Sequence, residues 1–210
     1  MMRISLAGKK IIWFVLALLL VPVAVYAAPD RTGKWDAGFN VSGVFPSDSD
    51  ADNSVYIGGN LAYGVTDWFA VGVESGWSRI GTSIPISPGV TLDAGDLTGI
   101  PLLSDLIVRV PIKDSQVQPY GVLGGGVIFW SFDESSLLKA AGVTVNPSTS
   151  FAAKLGGGLD WFINDKTILN FETSYVFSNA DITASGGGVR VTDSINTDYW
   201  MIGAGMKFVF

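Results

Sequence analysis

A two-residue alternation of side-chain character, repeated over eight separate stretches, constrains this 210-residue chain more than any other feature. In "KWDAGFNVSGVF" Trp35, Ala37, Phe39, Val41 and Phe45 fall on one face, and Asp36, Gly38, Asn40 and Ser42 on the other. "SVYIGGNLAYGV" sets Val55, Ile57, Leu61, Tyr63 and Val65 against Ser54, Gly58, Asn60 and Ala62. "WFAVGVESGWS" sets Phe69, Val71, Val73 and Trp77 against Ala70, Gly72, Glu74 and Gly76. Between Ile100 and Val110, Leu102, Leu106, Val108 and Val110 oppose Asp105 and Arg109. In "PYGVLGGGVIFWSF" the uncharged phase is read as Tyr120, Val122, Ile128, Trp130 and Phe132, across a glycine run that leaves room for a bulge. Phe151, Leu155, Leu159 and Trp161 then oppose Lys154, Gly156, Gly158 and Asp160; Leu169, Phe171, Tyr175 and Phe177 oppose Asn170, Glu172 and Ser174. The eighth stretch, "MIGAGMKFVF", alternates apolar residues with Gly203, Gly205 and Lys207.

Where the charges fall decides between two kinds of β structure. A soluble barrel or sandwich sends its apolar face inward and its charges outward. Here the apolar phase carries almost no charge and collects its aromatics near strand ends. Trp35, Tyr63, Phe69, Tyr120, Trp161 and Phe210 are placed at one rim, and Phe45, Trp77, Trp130, Phe151, Phe177 and Trp200 at the other. Two aromatic girdles around an aliphatic band match the two interfaces of a bilayer. Strands cross a bilayer only as a closed barrel, because hydrocarbon satisfies no backbone N–H or C=O. The expected fold is therefore all-β: an eight-stranded, up-and-down antiparallel transmembrane barrel. Short turns ("TD", "PIKDSQ", "INDK") alternate with long polar loops, as periplasmic turns and extracellular loops do in bacterial outer membranes.

The first residues agree with that destination. Arg3, Lys9 and Lys10 precede an apolar run from Ile11 to Val21, and Val25 and Ala27 supply small residues for signal-peptidase cleavage. Residues 1–27 are read as a cleaved secretory signal and 28–210 as the barrel domain. Without the three basic residues of the signal, 10 Lys+Arg remain against 19 Asp+Glu, a balance unsuited to nucleic acid. The absence of His and Cys removes histidine triads, histidine metal sites and disulfides. No nucleophile–base pair is visible, so neither enzyme activity nor a cofactor is expected.

The stretches "YGVTDWFAVGVE", "QPYGVLGGGVIFWSFDES", "AAKLGGGLDWFINDKTILNFETSY" and "DYWMIGAGMKFVF" resemble the OmpW family of small outer-membrane barrels. That resemblance implies a monomeric barrel with a narrow apolar channel for small hydrophobic compounds. The last residues, "GAGMKFVF", also resemble the assembly signal of outer-membrane proteins at Gly205, Phe208 and Phe210, which implies a partner in the barrel-assembly machinery.

Phasing and strand direction assign heights to the inward side chains. Pro101, Leu103, Val127, Phe129, Tyr199 and Met201 are expected to line an apolar cup in the extracellular half. Asp36, Glu74, Asp105, Arg109, Lys154, Asp160, Glu172 and Lys207 are expected to form a charge network at mid-height or below, with Lys154 beside Glu172. Five acids against three bases leave two acids to be compensated. A polar plug below an apolar cup suits a hydrophobic ligand that enters from outside and leaves sideways into outer-membrane lipid. The competing reading is an inert, plugged barrel whose loops bind a surface partner. Asp48, Asp50 and Asp52 have the spacing of a calcium loop, but Asn53 replaces its glycine and Gly59 its last acid, so a solvated acidic loop is expected and no metal.

Overall fold

The computed structural model describes residues 29–48, 51–87 and 90–210. Residues 1–27, read above as a signal, and Asp50 lie outside them. Eight strands form the barrel: β1 (Trp35–Pro46), β2 (Ser54–Gly64), β3 (Phe69–Ser87), β4 (Val90–Arg109), β5 (Val117–Glu134), β7 (Ser150–Asn164), β8 (Thr167–Gly186) and β10 (Tyr199–Val209). Each pairs antiparallel with its neighbours, and β10 joins both β8 and β1. The seam closes through paired backbone hydrogen bonds, Trp35 N–H to Phe210 O and Phe210 N–H to Trp35 O, each 3.0 Å. A closed ladder leaves no barrel strand with a free edge in the membrane, as hydrocarbon requires.

The connections expected to be long polar loops are largely ordered hairpins. β3 and β4 stay paired up to Ser87 and Val90. Beyond its barrel portion, β8 pairs with β9 (Val189–Asn196) on one edge and β6 (Thr144–Pro147) on the other. Gly187 and Gly188, at φ +59° and +81°, supply the two left-handed residues of the tight β8–β9 turn. A short helix, α1 (Ser136–Ala140), follows β5.

Facing is as expected on seven barrel strands and reversed on β5. Tyr120, Val122, Ile128 and Trp130 are buried in the interior, while Leu123 and Phe129 face out. Tyr120 and Trp130 therefore leave the aromatic girdles. No bulge is involved: β5 keeps continuous register with β4 and β7 through the glycine run. The inward rings lie over glycines on adjacent strands, Tyr56 over Gly76, Tyr120 over Gly158 and Trp130 over Gly99, where any Cβ would overlap them. The outer wall shows Phe39, Ile57, Leu123, Leu155 and Ile202 more than half exposed, an apolar belt for lipid.

Candidate functional site

The interior is stratified along the barrel axis. At the short-turn end Phe162, Ile168 and Val209 pack into an apolar seal. Above it lies a first ion cluster. Asp36 holds Arg31 and, at 2.5 Å, Arg109; Asp160 holds Arg31 at 2.6 Å and Lys207 at 3.0 Å. Arg31 also donates to Gln118 Oε1 at 3.2 Å, and its guanidinium lies over the Phe162 ring. At mid-height a second cluster surrounds Lys154, which reaches Glu74 at 2.5 Å, Asp105 at 3.1 Å and Glu172 at 3.6 Å. Tyr120 links the two: its hydroxyl donates to Glu172 at 2.7 Å and accepts from Asn170, which also donates to Asp160.

All eight charged residues expected inside are there. Lys154 does contact Glu172, but its shorter contacts are to Glu74 and Asp105. Sequence reading missed Arg31, which stands before the first alternating stretch and is 1% exposed. With it the network holds five acids and four bases, so one negative charge rather than two lacks a basic counterpart. Clustering matters because a buried charge without an opposite partner costs several kcal/mol. A cavity of about 20 Å³ beside Arg109, Glu74 and Lys207 has room for a single water.

Above the charges comes a packed apolar layer containing Leu103, Tyr56, Met201, Val44, Val176 and Ile128, each at most 4% exposed. Above that layer a larger, partly open cavity of about 260 Å³ lies within the extracellular extensions. Leu97, Trp130, Phe132, Leu138, Val145 and Ile182 supply much of its apolar wall. The six residues expected to line a cup thus divide three ways. Tyr199 lines the cavity. Pro101, Leu103 and Met201 face inward but belong to the interior beneath it. Val127 and Phe129 are on the outer wall, the consequence of the reversed β5, with Phe129 48% exposed. The cup is higher than expected because β3, β4, β5 and β8 continue above the packed layer and carry its walls with them. Asp48 lines this cavity too, and Asp52 lies beside Gly81.

Gly205, Phe208 and Phe210 sit at the barrel seam. Gly205 faces in, pairing with Asn40, and a Cβ there would meet Asn40 and the backbone of Phe39. Phe208 and Phe210 are exposed on the outer wall.

A closed eight-stranded barrel with a lipid-facing belt and an ion-paired interior is a small outer-membrane β-barrel protein, and its place is the bacterial outer membrane. The chain belongs to the outer membrane protein beta-barrel domain family, whose pattern matches residues 14–208. Its fold is similar to the crystal structure of the outer membrane protein OprG from Pseudomonas aeruginosa (TM-score 0.77, 18% identity, 86% of this chain and 97% of that one). It is also similar to AlkL, solved by solid-state NMR in DMPC lipid bilayers (TM-score 0.63, 20% identity, 90% and 96%). A third similar fold is Escherichia coli outer membrane protein W, solved by solution NMR (TM-score 0.57, 17% identity, 86% and 99%). The fold thus resembles outer membrane protein W, whose family the sequence also resembles. No curated protein matches the chain by sequence.

Proposed function

We propose that this barrel is a conduit for passive uptake or exchange of small hydrophobic molecules, which enter the extracellular cup and leave sideways into the bilayer. The observation that carries this reading is the order of the layers. An apolar cavity of about 260 Å³ stands directly over a close-packed layer and two buried ion clusters. A ligand that continued down the axis would have to displace charges from their partners, which costs several kcal/mol per charge. Lateral departure exchanges one apolar surrounding for another and avoids that cost. On the same reading the barrel works as a monomer, performs no covalent chemistry and needs no cofactor or metal.

The test compares uptake of a small labelled hydrocarbon by cells producing the barrel and by cells without it. Faster uptake in the producing cells is the expected result. Equal rates would remove the conduit and leave a structural or adhesive barrel as the better account.

A further inference from the structure

The cup has a charge sign as well as an apolar wall. Building on the conduit reading, we infer that its ligands are small apolar molecules with a neutral or cationic head that donates hydrogen bonds, and that carboxylates are rejected. Three observations lead there.

The first is the lining. It contains no Lys or Arg, but it contains Asp48 and Asp198. These acids are grouped with Asn196 and Thr197, because Ser47 N–H donates to Asp198 O at 2.9 Å and joins the segment after β1 to the segment before β10. β4 and β5, which carry Leu97, Trp130 and Phe132, stand across the barrel from β1 and β10. Both acids of the cup therefore lie on one side, facing Leu97, Trp130 and Phe132 on the other.

The second is hydrogen bonding on the acidic side. Asp198 accepts from Ser178 N–H at 2.7 Å, Tyr175 O–H at 3.2 Å and Asn196 Nδ2 at 3.3 Å, all neutral donors. Its charge is thus solvated without being cancelled by these groups. Beside it, the buried Thr197 hydroxyl has no hydrogen-bond partner among the described residues. A donating head placed here would satisfy Thr197 and lie against a carboxylate. Thr197, whose hydroxyl both donates and accepts, does not itself discriminate, but an ionised carboxylate brings no donor to Asp198 and meets like charge.

The third is the field at the entrance. Among the described residues, the extracellular segments 46–48, 51–53, 78–87, 90–99, 131–149 and 178–198 hold nine acidic residues against three basic ones. Two of those bases, Arg79 and Lys139, already pair at the exposed rim, with Asp96 and Asp133. A mouth of one sign concentrates the opposite sign and repels its own.

The test is equilibrium dialysis of labelled octan-1-ol, octylamine and octanoate against the purified barrel in lipid nanodiscs at neutral pH and low salt. Empty nanodiscs correct for partition into lipid. Octanol and octylamine should bind above the empty discs, and octanoate about tenfold or more weaker, a difference of at least about 1.4 kcal/mol. Asp48→Lys should narrow that gap, and Asp48→Asn should narrow it less. Octanoate binding as tightly as octanol would overturn the selectivity while leaving the conduit in place. If no ligand exceeds the empty discs, the cup is not a binding site and both readings fall. A gap unchanged in both Asp48 variants, with the barrel still folded by its gel mobility, also counts against the acidic side as its cause.

Discussion

Arg31 and Asp160 stand 129 positions apart in the chain, yet their Nη1 and Oδ2 atoms are 2.6 Å apart in the floor of the barrel. Arg31 simultaneously holds Asp36 on β1, which holds Arg109 on β4. One side chain from the segment before the first strand thus ties together three strands and sits on the apolar seal formed by Phe162. Nothing in the alternating pattern marks this role, because Arg31 belongs to no strand.

Replacing Arg31 with Ala should therefore destabilise the barrel more than a surface charge change does. Asp36 keeps Arg109 and Asp160 keeps Lys207, so the loss should fall at the lower end of the ~3–5 kcal/mol typical of a broken buried pair. Lys34→Ala, three residues on and exposed, should cost little. Urea unfolding of the two variants in lipid vesicles separates these outcomes. Equal midpoints would mean the Arg31 contacts contribute nothing net.

Glycine positions under aromatic rings make a second, independent prediction. A Cβ at Gly76 would overlap the Tyr56 ring, whose hydroxyl donates to Glu74 at 3.1 Å. Gly76→Ala should cost about 1–3 kcal/mol through overpacking and displacement of that ring. At Gly121, on the outer wall, the nearest atom to an added Cβ is 3.9 Å away, so Gly121→Ala should be close to neutral. The same unfolding measurement applies, and a similar loss at both sites would show that strand propensity rather than ring contact sets the cost.

The fold was legible because charge pins the phase of most strands: Asp36, Glu74, Asp105, Lys154, Glu172 and Lys207 each mark an inward position. β5 lacks such a marker between Gln118 and Asp133, and its aromatics then misled. The alternation reads aromatic side chains as residues of the lipid interfaces, where a half-polar ring is well placed. A buried Tyr or Trp is equally well accommodated when its polar atom finds a partner, and here both do. Tyr120 donates to Glu172, and Trp130 Nε1 donates to Ser150 Oγ at 2.8 Å. Gln118, 1% exposed at the base of β5, was the available clue, since it shares their phase. The cup stands higher than the alternation indicates for a different reason. Its walls include β6, β9 and α1, which lie outside the eight alternating stretches and so mark no inward face.

Phe210 closes the ladder with Trp35 through its backbone, while the residue as a whole is 68% exposed. Phe210→Ser should thus leave the folded seam nearly intact, yet slow assembly into the membrane if the ring is read by the assembly machinery. Pulse-chase labelling followed by heat-modifiability on gels reports the folded fraction with time, and periplasmic fractionation reports export. Assembly at the wild-type rate would mean that the ring serves lipid contact alone.

The height of the cup is tested by placing substitutions in different layers. Ile195 is partly buried and lines the cavity, so Ile195→Trp should fill space there without disturbing the layer below. Hydrocarbon uptake by producing cells should fall toward that of cells without the barrel, while the amount of folded protein stays the same. Leu103, 1% exposed and paired in register with Glu74, lies beneath the cup and next to the Lys154 cluster. Leu103→Asp adds a fourth carboxylate around one ammonium, at a cost of several kcal/mol, so its main effect should be less folded barrel rather than a blocked route. Phe129→Leu, on the lipid face, should alter neither quantity appreciably. If Leu103→Asp instead folds normally and abolishes uptake, the path reaches below the packed layer and the cup is only its entrance. If Ile195→Trp folds normally and leaves uptake unchanged, the hydrocarbon passes elsewhere and the cavity has no part in its route.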